Sequence, residues 1–310
     1  MTPVGPQLMG FMQQVATHPW VLQLAGDLAS SQPTSLQLVE KLRARSAASP
    51  VLWPFHAVQF PLAVREAQGA TLVDADGRSY LDLFLGFGTQ ALHGHNAPQV
   101  VERMPMGSSV GNGYFHPVET ELTELLHRFT GHEGFLFVHT GTEATAAAVR
   151  ICRAATKRRL LVKFDGAVHG THDWGVQSSV ALMHGNPIQP WPARVDGHVE
   201  PVPFATGVTP PDDLLILPHF DEDALEQLAA RKDEIACVIM ESSNISFPFA
   251  DRCLPFLKKV RERCRELGIL FVLDEVQTGF RWGPGGANQS EGIDADLCTY
   301  GKVLSGLGIP

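Results

Sequence analysis

Residues 235–275 read IACVIMESSNISFPFADRCLPFLKKVRERCRELGILFVLDE, and this stretch decides the fold. Ile235 to Met240 is a short, wholly apolar run. Leu254 to Leu267 is amphipathic and stops at Gly268, the residue type that most easily closes a helix. Ile269 to Leu273 is a second apolar run, and it ends abruptly in Asp274-Glu275. A strand that is apolar at every position is covered on both faces, so strand–helix–strand with this composition predicts a parallel sheet between helical layers.

The same rhythm extends outward. Upstream lie the strands Leu160–Phe164 and Leu214–Leu217 and a helix over Asp223–Arg231. Before them, Leu122, Leu125, Leu126 and Phe129 carry helical spacing, Gly134–Val138 is read as a strand, and Glu143–Thr156 as an alanine-rich helix. Upstream of about residue 117 the rhythm changes. Leu62–Glu66, Thr71–Asp74 and Ser79–Leu83 are short strand candidates, the last two separated by the turn Asp74-Ala75-Asp76-Gly77. A helix is expected over Leu36–Ala44 and a linker over Ser46–Pro50. The expected organisation is a peripheral helical segment (1–50), a segment with short strands (51–116) and a large α/β domain (117–310).

Composition narrows the function. With 44% hydrophobic and 18% charged residues, the chain can bury a sizeable core. A net charge of −9, from 24 basic and 33 acidic residues, argues against nucleic acid or an anionic membrane as the main partner. Five widely spaced cysteines suggest neither a disulfide framework nor a zinc knuckle, and fit a reducing, cytoplasmic setting. No apolar run reaches membrane-spanning length, and no basic leader precedes the first residues.

In parallel α/β sheets ligands sit beyond the carboxyl ends of strands, and three such places draw notice. Val138-His139-Thr140-Gly141-Thr142-Glu143-Ala144 runs from strand to helix through hydroxyls and a glycine. Free N–H groups and the positive end of the helix dipole there suit a phosphate; an ordinary cap by Thr142 reads the same way. Leu273-Asp274-Glu275-Val276-Gln277 ends an apolar strand in two carboxylates, which suits a cationic ring N–H, a magnesium ion or a solvated loop. Asp296-Leu297-Cys298-Thr299-Tyr300-Gly301-Lys302 ends in a lysine that becomes notable through its spacing from Asp274.

Together these segments resemble the class III aminotransferases, which use pyridoxal 5'-phosphate (PLP) on the fold type I scaffold. The pattern Asp274-Glu275, Gly279, Asp296-Leu297 and Gly301-Lys302 carries the likeness. Within that family the sequence is most similar to the glutamate-1-semialdehyde 2,1-aminomutases, through Gly69–Asp82, His93-Gly94-His95, Thr140–Ala144, Lys163-Phe164-Asp165-Gly166 and His169-Gly170. The resemblance implies Lys302 as the Schiff-base lysine and Asp274 as partner of the ring nitrogen, the two catalytic candidates. It implies Thr140, Gly141 and Thr142 at the phosphate, Gln277 near the phenolic oxygen, and Val168 and His169 along the ring. It further implies a small amine or amino-acid substrate, a homodimer and no metal. The amino group would shift within one molecule in an aminomutase, or pass between an ω-amino acid or amine and an acceptor in a conventional transaminase.

Departures from the family pattern fall around the substrate. Val168 replaces an aromatic residue that would stack on the ring. Ser242 stands for a proline, Ser243–Ser246 for a glycine-containing turn, and Gly86-Phe87-Gly88-Thr89-Gln90 for a tryptophan-bearing turn. The family pattern continues beyond Pro310 into a C-terminal small domain, so the chain is expected to lack it; a non-catalytic fragment is the third reading. His93 and His95 are read as structural and not as a metal pair. Glu241 could face the pocket or equally form a structural salt bridge, and Arg281 and Arg252 could meet a substrate carboxylate, although an exposed arginine is the default.

Overall fold

The computed structural model describes residues 18–43, 62–86, 88–103, 116–178, 194–195, 198–199, 211–243 and 250–304. The expected linker Ser46–Pro50, Phe87, the Asn244–Ser246 part of the substituted turn and everything beyond Leu304, Pro310 included, lie outside them. The chain divides into two compact units. The smaller holds the described residues up to Leu85 together with His93–Ala97, and the larger holds the rest.

The smaller unit contains α1 (Pro19–Ser31), α2 (Pro33–Arg43) and an antiparallel sheet of β1 (Val64–Gln68), β2 (Thr71–Asp74) and β3 (Ser79–Leu81). Each helix begins with a proline, whose missing N–H costs nothing in the first turn. The β2–β3 turn organises itself through Asp74, whose Oδ1 accepts from the N–H of Asp76 and of Arg78 at 2.9 and 2.8 Å. Asp76 in turn accepts from the N–H of Thr34 and Ser35 at the start of α2. His95 of the histidine pair makes a structural contact, its Nε2 meeting Asp82 Oδ2 at 2.7 Å.

The larger unit runs α3 (Pro98–Val101), α4 (Pro117–Thr130), α5 (Gly141–Thr156), β4 (Leu160–Phe164), α6 (Asp173–Val176), β5 (Arg194–Val195), β6 (His198–Val199), β7 (Leu214–Leu217), α7 (Asp223–Ala230), β8 (Ile235–Glu241), α8 (Ala250–Leu267), β9 (Leu270–Glu275), α9 (Gly286–Ser290) and β10 (Leu297–Tyr300). Five strands form a wholly parallel sheet in the order β10-β9-β8-β4-β7. From β4 the chain goes first to one side, β7, and then to the other, β8. Strand order therefore reverses beside β4, where α/β sheets open a crevice at their carboxyl ends.

Strand alternation sorts the core into two layers. Leu161, Cys237, Ile239 and Val272 point to one face and pack on Ala148, Val149 and Cys152 of α5. Their neighbours Val162, Phe164, Val238, Met240, Phe271 and Leu273 point to the other and pack on Leu228 of α7 and on Leu257 and Val260 of α8. Every residue of β4 and of β8 is buried, which is why their sequences are apolar apart from Lys163 and Glu241 near the carboxyl ends.

One expected strand is absent. Gly134–Val138 forms no ladder with any described strand, and Leu136, Phe137 and Val138 are exposed. An apolar run becomes a strand only where a neighbour supplies N–H and C=O partners, and β10 pairs with β9 alone. A groove of about 570 Å³ lies between this run and the open side of β10.

Candidate functional site

The same alternation that builds the core also aims the polar residues. Counting on from Leu161, Ile239 and Val272 puts Lys163, Glu241 and Asp274 on the α5 face at the carboxyl ends of β4, β8 and β9. Thr299 of β10 lies in register with Asp274, as does Glu241 from the other side.

Asp274 is 3% exposed. Its Oδ1 accepts from the Val276 N–H at 3.1 Å and the Thr299 hydroxyl at 2.8 Å, and Oδ2 lies 2.8 Å from His169 Nδ1. A carboxylate has no proton to give, so Nδ1 of His169 is the donor. His169 is fully buried, and burial holds its pKa below the ordinary range despite Asp274, which leaves a neutral ring with Nε2 unprotonated. Nε2 is buried and meets no partner among the described residues. Asp274 offers about four lone-pair sites and the protein fills three, so one more donor can be accepted.

Glu275 points the other way. It is fully buried and accepts from the N–H of Ala287 and Asn288, both at 2.8 Å, and from the Thr278 hydroxyl at 3.1 Å. Burial raises its pKa while these donors lower it. It clasps α9 to the end of β9, and the solvated-loop alternative for this carboxylate pair does not hold. Among the described residues no group of three His, Cys, Asp or Glu side chains is placed to hold a metal ion.

Lys302 comes two residues after the end of β10, the strand paired with the one that carries Asp274, and opens a single 3₁₀ turn, Lys302–Leu304, with φ of +46°. Burial pushes its amine below the ordinary lysine range; Glu241 and Asp274 oppose that shift and Arg281 assists it. Arg281 is exposed and donates to the Gly88 carbonyl at 2.7 Å, which ties it to the 86–90 turn.

The helix start is built by Thr140, not by Thr142. Thr140 Oγ1 accepts from the Glu143 N–H at 3.1 Å, and the Glu143 carboxylate accepts from the N–H of His139 and Thr140 at 2.7 and 3.0 Å, a reciprocal capping box. The cap shifts the helix start two residues upstream of the expected Glu143. The N–H groups of Gly141 and Thr142 fall in the first turn, where no intrahelical acceptor exists, and none among the described residues takes them. Thr142 Oγ1 accepts from the Thr171 N–H at 3.2 Å. A Cβ on Gly141 would lie 2.9 Å from Val276 Cγ1, so the glycine lets this helix start press against the turn that follows Asp274.

Val168 is 45% exposed, and its N–H donates to Glu241 Oε2 at 3.0 Å. Gln277 is partly buried in the turn after β9. The structure thus gathers Thr140, Gly141, Thr142, His169, Asp274 and Lys302 at one end of one sheet. Sequence reasoning missed the role of Thr299 and the His169–Asp274 bond; those two residues are 105 positions apart and no local spacing links them.

These residues fit PLP. A buried carboxylate with one open acceptor site suits a ring N–H, a partly buried amine of lowered pKa suits an aldehyde, and two unpartnered N–H groups at a helix start suit a phosphate. The comparisons agree with the geometry. Residues 54–310 match the model of the aminotransferase class-III family. The chain is 37% identical over 260 residues, 81% of its length, to a glutamate-1-semialdehyde 2,1-aminomutase of Methanococcus maripaludis strain S2, of which it covers 56%. A structure described as a transaminase with PLP bound is 30% identical with a TM-score of 0.67, covering 80% of this chain and 56% of that one. An omega-transaminase from Sphaerobacter thermophilus is 27% identical with a TM-score of 0.73, covering 87% and 61%. The chain therefore spans about half the length of the curated relatives it matches. By its motifs, its sheet and the match over residues 54–310, the chain belongs to the class-III aminotransferase family.

Proposed function

We propose that this chain holds pyridoxal 5'-phosphate on Lys302 and serves in amino-group transfer, best read as an aminomutase acting on glutamate-1-semialdehyde. The observation that carries the reading is the placement of Asp274 and Lys302 at the ends of adjacent parallel strands, with the Gly141–Thr142 helix start against the Asp274 turn. When bound, PLP supplies an electron sink for the substrate carbon.

The residues divide the work. Asp274, fixed by Val276, Thr299 and His169, would accept the ring N–H and keep the ring nitrogen protonated. Gly141 and Thr142 would take the phosphate, with Thr140 shaping their turn through its cap. His169 and the side chain of Val168 would form a ring wall, and Gln277 would approach the phenolic oxygen. Lys302, with its lowered amine pKa, would bind the cofactor and, when displaced, move a proton at the substrate carbon. A homodimer in a cytoplasmic setting completes the reading. Among the described residues no helix is long and apolar enough to cross a membrane.

Similarity to the omega-transaminase, together with Gln277, favours a second reading, a two-substrate transaminase. Supplying glutamate-1-semialdehyde alone to the PLP-loaded chain separates the two. Formation of 5-aminolevulinate without an amino acceptor supports the mutase. Turnover only when an ω-amino acid or amine is paired with a keto acid supports the transaminase, and neither product sinks amino-group transfer by this chain.

A further inference from the structure

Lys163 is fully buried at the end of β4, a position where an uncompensated charge would be costly. Its Nζ donates to three backbone carbonyls, Ala167 at 3.0 Å, Gly175 at 3.1 Å and Gln177 at 2.6 Å. Three acceptors match the three N–H bonds of an ammonium, and a neutral amine has one too few. Burial pulls the pKa down to about 7, while the carboxylates of Glu241 and Asp165 act to hold the charge.

The three carbonyls are not neighbours in sequence. Ala167 opens the loop after β4, and Gly175 and Gln177 close it. The ammonium ties the two ends of one loop together, reinforced by the Gly166 N–H donating to the Ser178 carbonyl at 2.7 Å. Between the tied ends lie Val168 and His169. Val168 is held through its N–H by Glu241. His169 is held through its carbonyl by Thr145 Oγ1 at 2.8 Å and through its ring by Asp274.

We propose that Lys163 is a positioning residue for the cofactor site: its ammonium draws the 167–177 loop closed and so fixes His169 Nδ1 on Asp274 and Val168 at the ring face. Lys163 itself touches no reacting atom. The cofactor part of this assignment rests on the function proposed above; the effect on the His169–Asp274 bond does not.

The experiment uses the full chain with histidine ¹⁵N labelling, comparing the parent with Lys163→Met, Lys163→Gln and the core control Leu228→Ala. Leu228 is buried on the opposite face of the sheet, so its variant reports general loosening. In the apo chain the His169 Nδ1 proton should give a downfield, slowly exchanging resonance. It should be lost in Lys163→Met, persist in Leu228→Ala, and be partly kept in Lys163→Gln, whose amide can still serve two carbonyls. With PLP added, Lys163→Met should bind about tenfold to a hundredfold more weakly, as misplacement of a supporting group allows, and show altered visible circular dichroism. If Lys163→Met unfolds, Lys163→Gln decides on the same readouts. A lowered melting temperature with the His169 resonance unchanged would overturn the proposal. A parent chain that binds no PLP would defeat the cofactor reading, while the resonance in the apo chain would still decide the role of Lys163.

Discussion

Asp274 shows how one side chain is committed by its surroundings. Oδ1 already serves Val276 and Thr299, and Oδ2 serves His169. Asp274→Asn exchanges one acceptor oxygen for an NH₂ group, so at least one of those donors faces another donor. Leaving a buried donor unmet costs about 1–3 kcal/mol of stability. The larger loss is functional, because an amide cannot hold a ring nitrogen charged. Turnover should fall roughly 10²–10³-fold or more, the scale of removing one preorganised electrostatic partner. Steady-state kinetics beside a urea unfolding curve checks both, and full turnover in this variant would remove Asp274 from the site. This carboxylate could be singled out in the sequence because it interrupts an apolar strand. Lys163 gave no comparable signal, since one lysine in LLVKF also fits an edge position facing water. Only the fold shows that it is buried beneath a loop.

At the scale of elements, legibility followed burial. β4, β8 and β9 could be read because both of their faces are covered. β10 was hidden, since Leu297-Cys298-Thr299-Tyr300 breaks the apolar pattern with Thr299, whose hydroxyl bonds Asp274. Gly134–Val138 has strand composition but no pairing partner among the described strands, and pairing is not written in local periodicity. The helix α8 starts at Ala250, earlier than the expected Leu254, and takes in Pro255. The Glu275 clasp is another contact that only the fold reveals. Glu275→Ala would strand the Thr278 hydroxyl and two N–H groups of α9 in a buried place. The expected cost is about 2–4 kcal/mol, since each stranded donor contributes on the order of 1 kcal/mol or more. Chemical denaturation reads the stability, and hydrogen exchange at Ala287 and Asn288 reads the local release. Unchanged protection at those two amides would contradict the clasp.

For the whole molecule, protonation of the larger unit sets the response to acid. Burial pushes His172 and His219 from the ordinary 6.5 to about 4, and pushes His169 the same way. His172 stacks on Trp174 at 3.8 Å, and His219 packs among Phe164, Phe220 and Phe256. With folded pKa values below the unfolded value, the unfolded chain binds more protons between pH 4 and 6.5. Stability present above pH 6.5 is therefore lost as pH falls through that window. Asp165, pushed up to about 7 by burial, works in the opposite sense. Burial also raises Glu275 and lowers His132; four lowered histidines outweigh two raised carboxyls, so the urea midpoint should be lower at pH 4.5 than at pH 7.5, and a higher midpoint at pH 4.5 would contradict the burial of these rings.

In the function proposed above, Lys302 takes the cofactor, beside Asp274 at the open end of the sheet. The most direct test is to load the chain with PLP, reduce with borohydride, digest, and locate the modified lysine by mass, with Lys302→Ala alongside. One dominant modified peptide carrying Lys302 is expected, together with its loss in Lys302→Ala without label moving to Lys163. Label concentrated on another lysine, or spread over surface lysines in parent and variant alike, would contradict it.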